Sequence, residues 1–114
     1  MKINVGVIFG GRSVENEISV ITAAQTMAAM NEEKYNIVPI YISKEGHWYT
    51  GDKLRQTDNY RDMKVLLSSV DEVYLRPVFG DNNLYKVRKP LFGSDVVTTI
   101  DVILPCLHGT SGED

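Results

Sequence analysis

Apolar residues dominate the first nine positions of the chain and predict a strand. The β-branched and aromatic residues of this run are Ile3, Val5, Val7, Ile8 and Phe9. Such a composition is typical of a strand that is buried on both faces of a mostly parallel sheet. Gly10 and Gly11 follow directly and are expected to end the strand in a turn.

A helix is predicted to begin just after the two glycines. Ser13 is a good N-cap residue, and the residues that follow it repeat with helical spacing. One face of this helix carries Ile18, Ile21, Ala24 and Ala28, and the other carries Glu15, Ser19, Thr22 and Thr26. We therefore expect Ile18 and Ile21 to pack on the sheet and Glu15 to face a crevice beyond the strand.

The patterns that follow alternate between strands and one further helix. Residues 35–42 predict a second strand and complete a β-α-β unit; Pro39 cannot donate to a ladder, which favours an edge or a bulge. Residues 59–70 have helical spacing. Residues 73–79 and 84–87 flank a turn and predict an antiparallel hairpin, and residues 98–107 predict a final strand.

Together these elements indicate an α/β fold and one domain over residues 1–114. We expect an open, Rossmann-like, mostly parallel sheet with flanking helices and one antiparallel hairpin. At 114 residues, such a chain can bury roughly 60–70% of its unfolded surface and needs no metal or disulfide for stability.

Composition and charge narrow the class of partners. The chain is 43% hydrophobic and 24% charged with a net charge of −3, which gives no electrostatic footprint for nucleic acid or an anionic membrane. Its first residues read as a core strand and not as a signal peptide, and no apolar run has membrane-spanning length. The single cysteine, Cys106, favours a reducing compartment. We expect a cytoplasmic protein that binds neither nucleic acid nor membranes.

The turn at Gly10 and Gly11 is the first candidate site, because open α/β sheets bind ligands beyond the carboxyl ends of their strands. The segment 6–13 differs from a phosphate-binding P-loop by Arg12 in place of lysine, but its middle belongs to the strand. Glu15 and Glu17 would repel a phosphate, whereas a carboxylate suits an ammonium group. The alternative is that Glu15 only complements the helix dipole.

A second candidate site follows the last predicted strand, in the segment His108-Gly109-Thr110-Ser111-Gly112-Glu113-Asp114. If the strands that begin near Ile3 and Ile100 are parallel neighbours, Glu15 and His108 leave the sheet at the same edge and share one crevice. A histidine can change charge near neutral pH and lie beside an anion. It can equally do no more than hydrogen-bond its own loop.

With both segments in view, the chain resembles the N-terminal domain of the D-alanine–D-alanine ligases, which are ATP-grasp enzymes of peptidoglycan precursor synthesis. The segment Gly10-Gly11-Arg12-Ser13-Val14-Glu15 resembles the family's G-G-x-S-x-E turn, and residues 108–114 resemble the start of its H-G-x-x-G-E-D-G signature. Asn16 departs from the basic or histidine side chain that relatives often carry, and Arg12 occupies a variable position.

The resemblance implies an activity and a set of roles. In the family, ATP phosphorylates the carboxylate of one D-alanine, and the amine of a second attacks the acyl phosphate. Glu15 would act as the catalytic and substrate-binding residue that holds the first ammonium group. Ser19 and His108 would line the same substrate site, with His108 beside the reacting carboxylate. Gly10, Gly11 and Gly109 would supply loop backbone.

The resemblance also implies what lies outside residues 1–114. The signature stops at Asp114, so we expect ATP-grasp domains to follow and to bind ATP and Mg²⁺ (or Mn²⁺), with no metal or cofactor site within 1–114. The fragment alone should be inactive. Family members are commonly homodimers.

Two alternatives remain open from the sequence. The chain could belong to a D-alanine–D-lactate ligase or another ATP-grasp ligase that joins a carboxylate to an amine. It could also be a non-catalytic nucleotide-binding α/β module of Rossmann or flavodoxin type, which tight binding of ATP or NAD to residues 1–114 would favour.

Overall fold

The computed structural model describes residues 1–12 and 16–107. Within them the chain forms the strands β1 (Ile3–Gly10), β2 (Tyr35–Ile42), β3 (Trp48–Thr50), β4 (Asp71–Leu75), β5 (Asn83–Lys86), β6 (Val96–Thr99) and β7 (Val102–Cys106). The helices are α1 (Asn16–Ala29) and α2 (Met63–Ser68), and two 3-10 turns precede α2 at Asp52–Arg55 and Thr57–Arg61.

The strands form one mixed sheet in the order β6-β5-β4-β3-β2-β1-β7. Parallel pairing is confined to β1 with its two neighbours, β2 and β7, and the other pairs are antiparallel. The α/β class is confirmed, but the sheet is parallel only in this three-stranded part. The turn between β2 and β3 spans residues 43–47, which is too short for the crossover that parallel strands require.

The predicted last strand, 98–107, is two strands at opposite edges of the sheet. The strand is interrupted at Ile100 and Asp101. The Asp101 carboxylate accepts a hydrogen bond from the Asn4 backbone amide at 2.8 Å. Adjacent strands twist in one sense, and this twist accumulates until the end of β6 lies beside the start of β1. Asn4 Nδ2 accordingly donates to the Thr99 carbonyl at 2.7 Å. The sheet is therefore curled on itself.

Two apolar cores lie on the two faces of the sheet. The helix-side core consists of Val5, Val7, Phe9, Val20, Ala23, Met27, Tyr41, Leu54 and Leu66. The core inside the curl consists of Ile8, Ile40, Val73, Leu84 and Ile100. Because β1 contributes side chains to both cores, the prediction that the first strand is buried on both faces is confirmed.

Pro39 lies inside the sheet, so the predicted edge or bulge is wrong. Its strand, β2, is hydrogen-bonded between β1 and β3. Pro39 sits one position beyond the Ile40–Thr50 pair that ends β3, and the Thr50 hydroxyl donates to the Pro39 carbonyl at 2.6 Å. Its carbonyl and nitrogen face the same side of the strand, so the missing N–H falls where β3 has already ended.

Helix α1 is rotated relative to the prediction. Ile18 and Ile21 do not pack on the sheet, because 50% and 52% of their surfaces are exposed. The buried face instead carries Asn16, Ser19, Val20, Ala23 and Met27. Two of these five residues are polar: Ser19 hydrogen-bonds Gly10 at the end of β1, and Asn16 hydrogen-bonds Gly11 just after it. Hydrogen bonds to Gly10 and Gly11, and not the larger isoleucines, therefore determine which face of α1 docks on the sheet.

The second predicted helix is shorter than its pattern. Residues 52–61 form the two 3-10 turns, and α2 begins only after Asp62, whose carboxylate accepts from the Val65 amide at 3.2 Å. The predicted hairpin is confirmed as β4 and β5, with shorter strands. Within the described ranges, none of the helices combines the length and apolar character that crossing a membrane requires.

Candidate functional site

The carboxyl ends of β1, β2 and β7 meet at one edge of the sheet. In register, Gly10 lies opposite Ile42 and Phe9 lies opposite Cys106. The condition for a shared crevice, that the first and last strands are parallel neighbours, is thus met. Glu15, His108 and Gly109 lie outside the described residues, so their shared crevice stays a prediction.

The glycine turn after β1 (residues 10–12, the first turn) depends on both glycines. Gly10 and Gly11 have φ values of +94° and +106°, which L side chains rarely adopt. A Cβ on Gly10 would also overlap the Ile42 carbonyl oxygen, whereas one on Gly11 would meet no atom of residues 1–12 or 16–107 within 4 Å. The Gly11 amide donates to the same Ile42 oxygen at 2.8 Å. The first turn is therefore fastened to the end of β2.

The Ser19 hydroxyl holds the first turn from the helix side. Ser19 has no exposed surface, so its hydroxyl does not line the crevice as predicted. It accepts a hydrogen bond from the Gly10 amide at 2.7 Å and donates to the Asn16 carbonyl at 2.9 Å. The structure thus places Ser19 inside the contact between β1 and α1.

Replacing Ser19 by alanine should lower the free energy of unfolding by about 1–3 kcal/mol, because the buried Gly10 amide then lacks a partner. Urea denaturation of the 114-residue chain measures this loss. Thr26→Ala is the matched control, since Thr26 also loses a hydroxyl of α1, one that donates to the Thr22 carbonyl at 2.9 Å and leaves no buried donor behind. Equal losses in the two variants would contradict the role of Ser19.

Asn16 is the site residue whose importance sequence reasoning missed. It is 2% exposed, and its Nδ2 donates to the Gly11 carbonyl at 2.6 Å and to the Ile42 carbonyl at 3.3 Å. Its Oδ1 accepts from the Tyr41 hydroxyl at 3.0 Å. The available signal was its spacing of three residues from Ser19, which places both polar side chains on one face of α1.

A groove of about 450 Å³ opens beside these residues. It lies between the first half of α1, the turn after β2 and the segment 57–67. Its apolar wall consists of Val20, Ile21, Tyr41, Tyr60, Met63 and Leu67, and its charged residues are Glu17, Lys44, Glu45 and Arg61. Groups of both signs border it, so charge alone selects no ligand.

Two tyrosines connect the groove to the helix-side core. Burial raises the pKa of Tyr60 far above its usual value and is also the main cause that raises the pKa of Tyr41. Both hydroxyls act as hydrogen-bond donors, Tyr41 to Asn16 and Tyr60 to the Leu54 carbonyl at 2.8 Å. Their rings pack edge to face with centroids 5.4 Å apart.

Comparison with known proteins decides which α/β family carries this turn. Residues 4–114 match the family model described as D-ala D-ala ligase N-terminus. The chain belongs to this family. The resemblance seen in the two glycine-containing segments is thus confirmed, and the match covers the D-alanine–D-alanine ligase N-terminal domain from β1 through the second segment.

Curated relatives carry the same name. The chain is 38% identical to a D-alanine–D-alanine ligase of Thermosipho melanesiensis over 98% of its length, and 39% identical to one of Geobacillus kaustophilus over all of its length. It spans only 29% and 30% of those relatives. The D-alanine–D-alanine ligase N-terminal domain is therefore less than a third of the enzymes that it matches.

Solved structures share the fold. The chain superimposes on the VanG D-Ala:D-Ser ligase of Enterococcus faecalis with a TM-score of 0.73 and 28% identity, covering 100% of this chain and 31% of that one. It superimposes equally well on the D-alanine–D-alanine ligase of Coxiella burnetii, with a TM-score of 0.73, 29% identity, and coverage of 99% and 30%. The curled mixed sheet is thus the fold of this ligase domain.

Proposed function

We propose that this chain is the N-terminal, D-alanine-binding part of a longer ATP-dependent ligase that joins two D-alanines. The observation that carries the proposal is the family match over residues 4–114, which includes both glycine-containing segments. The same match favours a ligase over a non-catalytic nucleotide-binding module. The product would serve peptidoglycan precursor synthesis in the cytoplasm, and the full-length enzyme would be a homodimer.

In the proposed reaction, a carboxylate oxygen of the first D-alanine takes the γ-phosphoryl group of ATP and ADP leaves. The amine of the second D-alanine then attacks the acyl carbon, phosphate departs and the amine loses a proton. Glu15 binds and orients the ammonium group of the first D-alanine through a charge-assisted hydrogen bond. His108 donates a hydrogen bond where negative charge develops on the reacting carboxylate and phosphoryl oxygens.

The described residues contribute to this proposal by holding the backbone of the first turn in place. Gly10 and Gly11 form the first turn, and Ser19 anchors it to α1, so Ser19 assists substrate binding by holding backbone and not by touching D-alanine. Gly109 would give the second segment the same freedom to turn. These contacts fix the start of α1 next to the position of Glu15 in the chain.

ATP and Mg²⁺ (or Mn²⁺) belong, in this proposal, to ATP-grasp domains that follow residue 114. Within residues 1–12 and 16–107, no three His, Cys, Asp or Glu side chains are grouped to hold a metal ion. When bound, the nucleotide would supply the phosphoryl group that is transferred, and the metal would neutralise the negative charge on it. The side chains of this domain would bind and orient the amino acid.

The isolated chain should therefore have no ligase activity. Residues 1–114 mixed with ATP, Mg²⁺ and D-alanine should release no phosphate above the rate without D-alanine, whereas the full-length protein should release it in step with dipeptide formation. D-alanine-dependent phosphate release by the 114-residue chain would refute the proposal that ATP and the metal bind only outside residues 1–114. A full-length protein without this activity would refute the function itself.

The second substrate is a separate question, and one structural neighbour makes it specific. VanG is described as a D-Ala:D-Ser ligase, so this domain fold also occurs in a ligase with another second substrate. We propose D-alanine for this protein, with D-lactate as the alternative. Competition between D-alanine and D-lactate in the full-length enzyme discriminates the two, because the products are an amide and an ester.

A further inference from the structure

The side chain of Asn16 joins three parts of the site at once. Its two N–H groups reach the Gly11 carbonyl at the end of the first turn and the Ile42 carbonyl at the end of β2. Its oxygen accepts the hydroxyl hydrogen of Tyr41. A side chain that is 2% exposed is thereby fully engaged in hydrogen bonds, all of them to groups around the first turn.

Tyr41 is in turn held on both sides by aromatic rings. The centroid of its ring lies 5.6 Å from that of Phe9 and 5.4 Å from that of Tyr60, and Tyr41 is 3% exposed. The hydroxyl therefore has little freedom to leave Asn16. Because the ring is held in the core, the hydroxyl also holds the carboxamide of Asn16 in place.

The location of Asn16 makes this contact more than a core hydrogen bond. Asn16 is the first residue of α1 and directly follows Glu15 in the chain. It also holds the carbonyl of Gly11, so it fixes the chain on both sides of the segment 12–15. The direction in which the chain enters and leaves this segment is thus set by one carboxamide.

We propose that Asn16 and Tyr41 are positioning residues for the binding of the first D-alanine. This inference rests on the proposed function and deepens it. A charge-assisted hydrogen bond depends on distance and angle, and a displacement of about 1 Å in a group that orients a substrate can cost as much as about 100-fold in rate. Losing a hydrogen bond of the Asn16 carboxamide would therefore weaken D-alanine binding while the domain stays folded.

The experiment compares two tyrosine hydroxyls in the full-length ligase. Tyr41→Phe removes the hydroxyl that donates to Asn16. Tyr60→Phe is the control, because the Tyr60 ring packs against Tyr41 but its hydroxyl donates to the Leu54 carbonyl. Tyr41→Phe should raise the KM for the first D-alanine about threefold to tenfold, the loss expected for one neutral hydrogen bond, with the KM for ATP unchanged. Tyr60→Phe should leave both constants within about twofold, since its bond does not touch the first turn.

A second variant tests the carboxamide itself. Asn16→Asp keeps the shape and the acceptor for Tyr41 but turns an oxygen toward the Gly11 and Ile42 carbonyls. It should raise the KM for the first D-alanine by about tenfold or more, because two hydrogen bonds become repulsive contacts. If Asn16→Asp fails to fold, Tyr41→Phe and its control still decide the question.

The outcomes separate a positioning role from a structural one. Parallel losses of thermal stability in Tyr41→Phe and Tyr60→Phe, with KM for D-alanine unchanged in both, would overturn the inference. A change in KM for D-alanine in Tyr41→Phe alone would support it. A wild-type enzyme without D-alanine-dependent phosphate release would instead overturn the proposed function, and the inference with it.

Discussion

Glu15→Gln in the full-length ligase should lower kcat/KM for the first D-alanine by about 10-fold to 150-fold. The expected loss corresponds to a hydrogen bond to a charged group, about 1.5–3 kcal/mol. The amide keeps the size of the side chain but loses the negative charge that attracts the substrate ammonium. Initial rates over a wide range of D-alanine concentrations, at saturating ATP, measure the effect.

Glu17→Gln is the matched control for this prediction. Glu17 lies two residues further along, in the first turn of α1, and its side chain is exposed at the groove. The substitution removes the same charge from the same end of the helix, so it reproduces any change in the helix dipole. If both variants lose activity equally, the effect is long-range electrostatics, and the assignment of Glu15 as the ammonium ligand fails.

The first β-α-β unit could be predicted because its signals are local. The apolar run of β1, the paired glycines and the strand at 35–42 each carry a pattern that neighbouring residues complete. The turn chemistry of the β4–β5 hairpin is equally local. For such elements neighbouring residues determine the secondary structure, and the predicted order of strand, helix and strand is found.

Three features could not be predicted, because each depends on distant residues. The face of α1 that docks is determined by hydrogen bonds that join Ser19 to Gly10 and Asn16 to Gly11, and hydrophobic spacing carries no information about them. The break at Ile100 and Asp101 follows from the twist accumulated across the whole sheet. Pro39 is tolerated inside the sheet only because β3 is three residues long.

The candidate site divides in the same way. Motif resemblance predicts that Glu15 and His108 bind the substrate, which stays a prediction, and the parallel pairing of β1 with β7 gives the arrangement on which their meeting depends. Resemblance could not assign Asn16, because the G-G-x-S-x-E turn that carries the resemblance ends at Glu15. Its role becomes visible only when the Gly11, Ile42 and Tyr41 groups around it are seen together.

Gly10→Ala should cost the 114-residue chain about 3 kcal/mol or more of its free energy of unfolding, the largest stability loss expected at the first turn. The conformation at φ +94° strains any residue with a Cβ by about 1–3 kcal/mol. The new methyl group would also overlap the Ile42 carbonyl oxygen and press on the Tyr41 ring. Relieving the overlap requires the ends of β1 and β2 to move apart.

Gly11→Ala separates the two causes, because Gly11 has a similar φ of +106° but, among the described residues, no atom within 4 Å of its Cβ position. It should lose only the strain energy, about 1–3 kcal/mol, in the same urea titration. A loss for Gly10→Ala no larger than that for Gly11→Ala would contradict the close approach of the first turn to β2. Since the Gly11 amide and the Asn16 carboxamide both bond the Ile42 oxygen, that result would also remove the structural basis for Asn16 as a positioning residue.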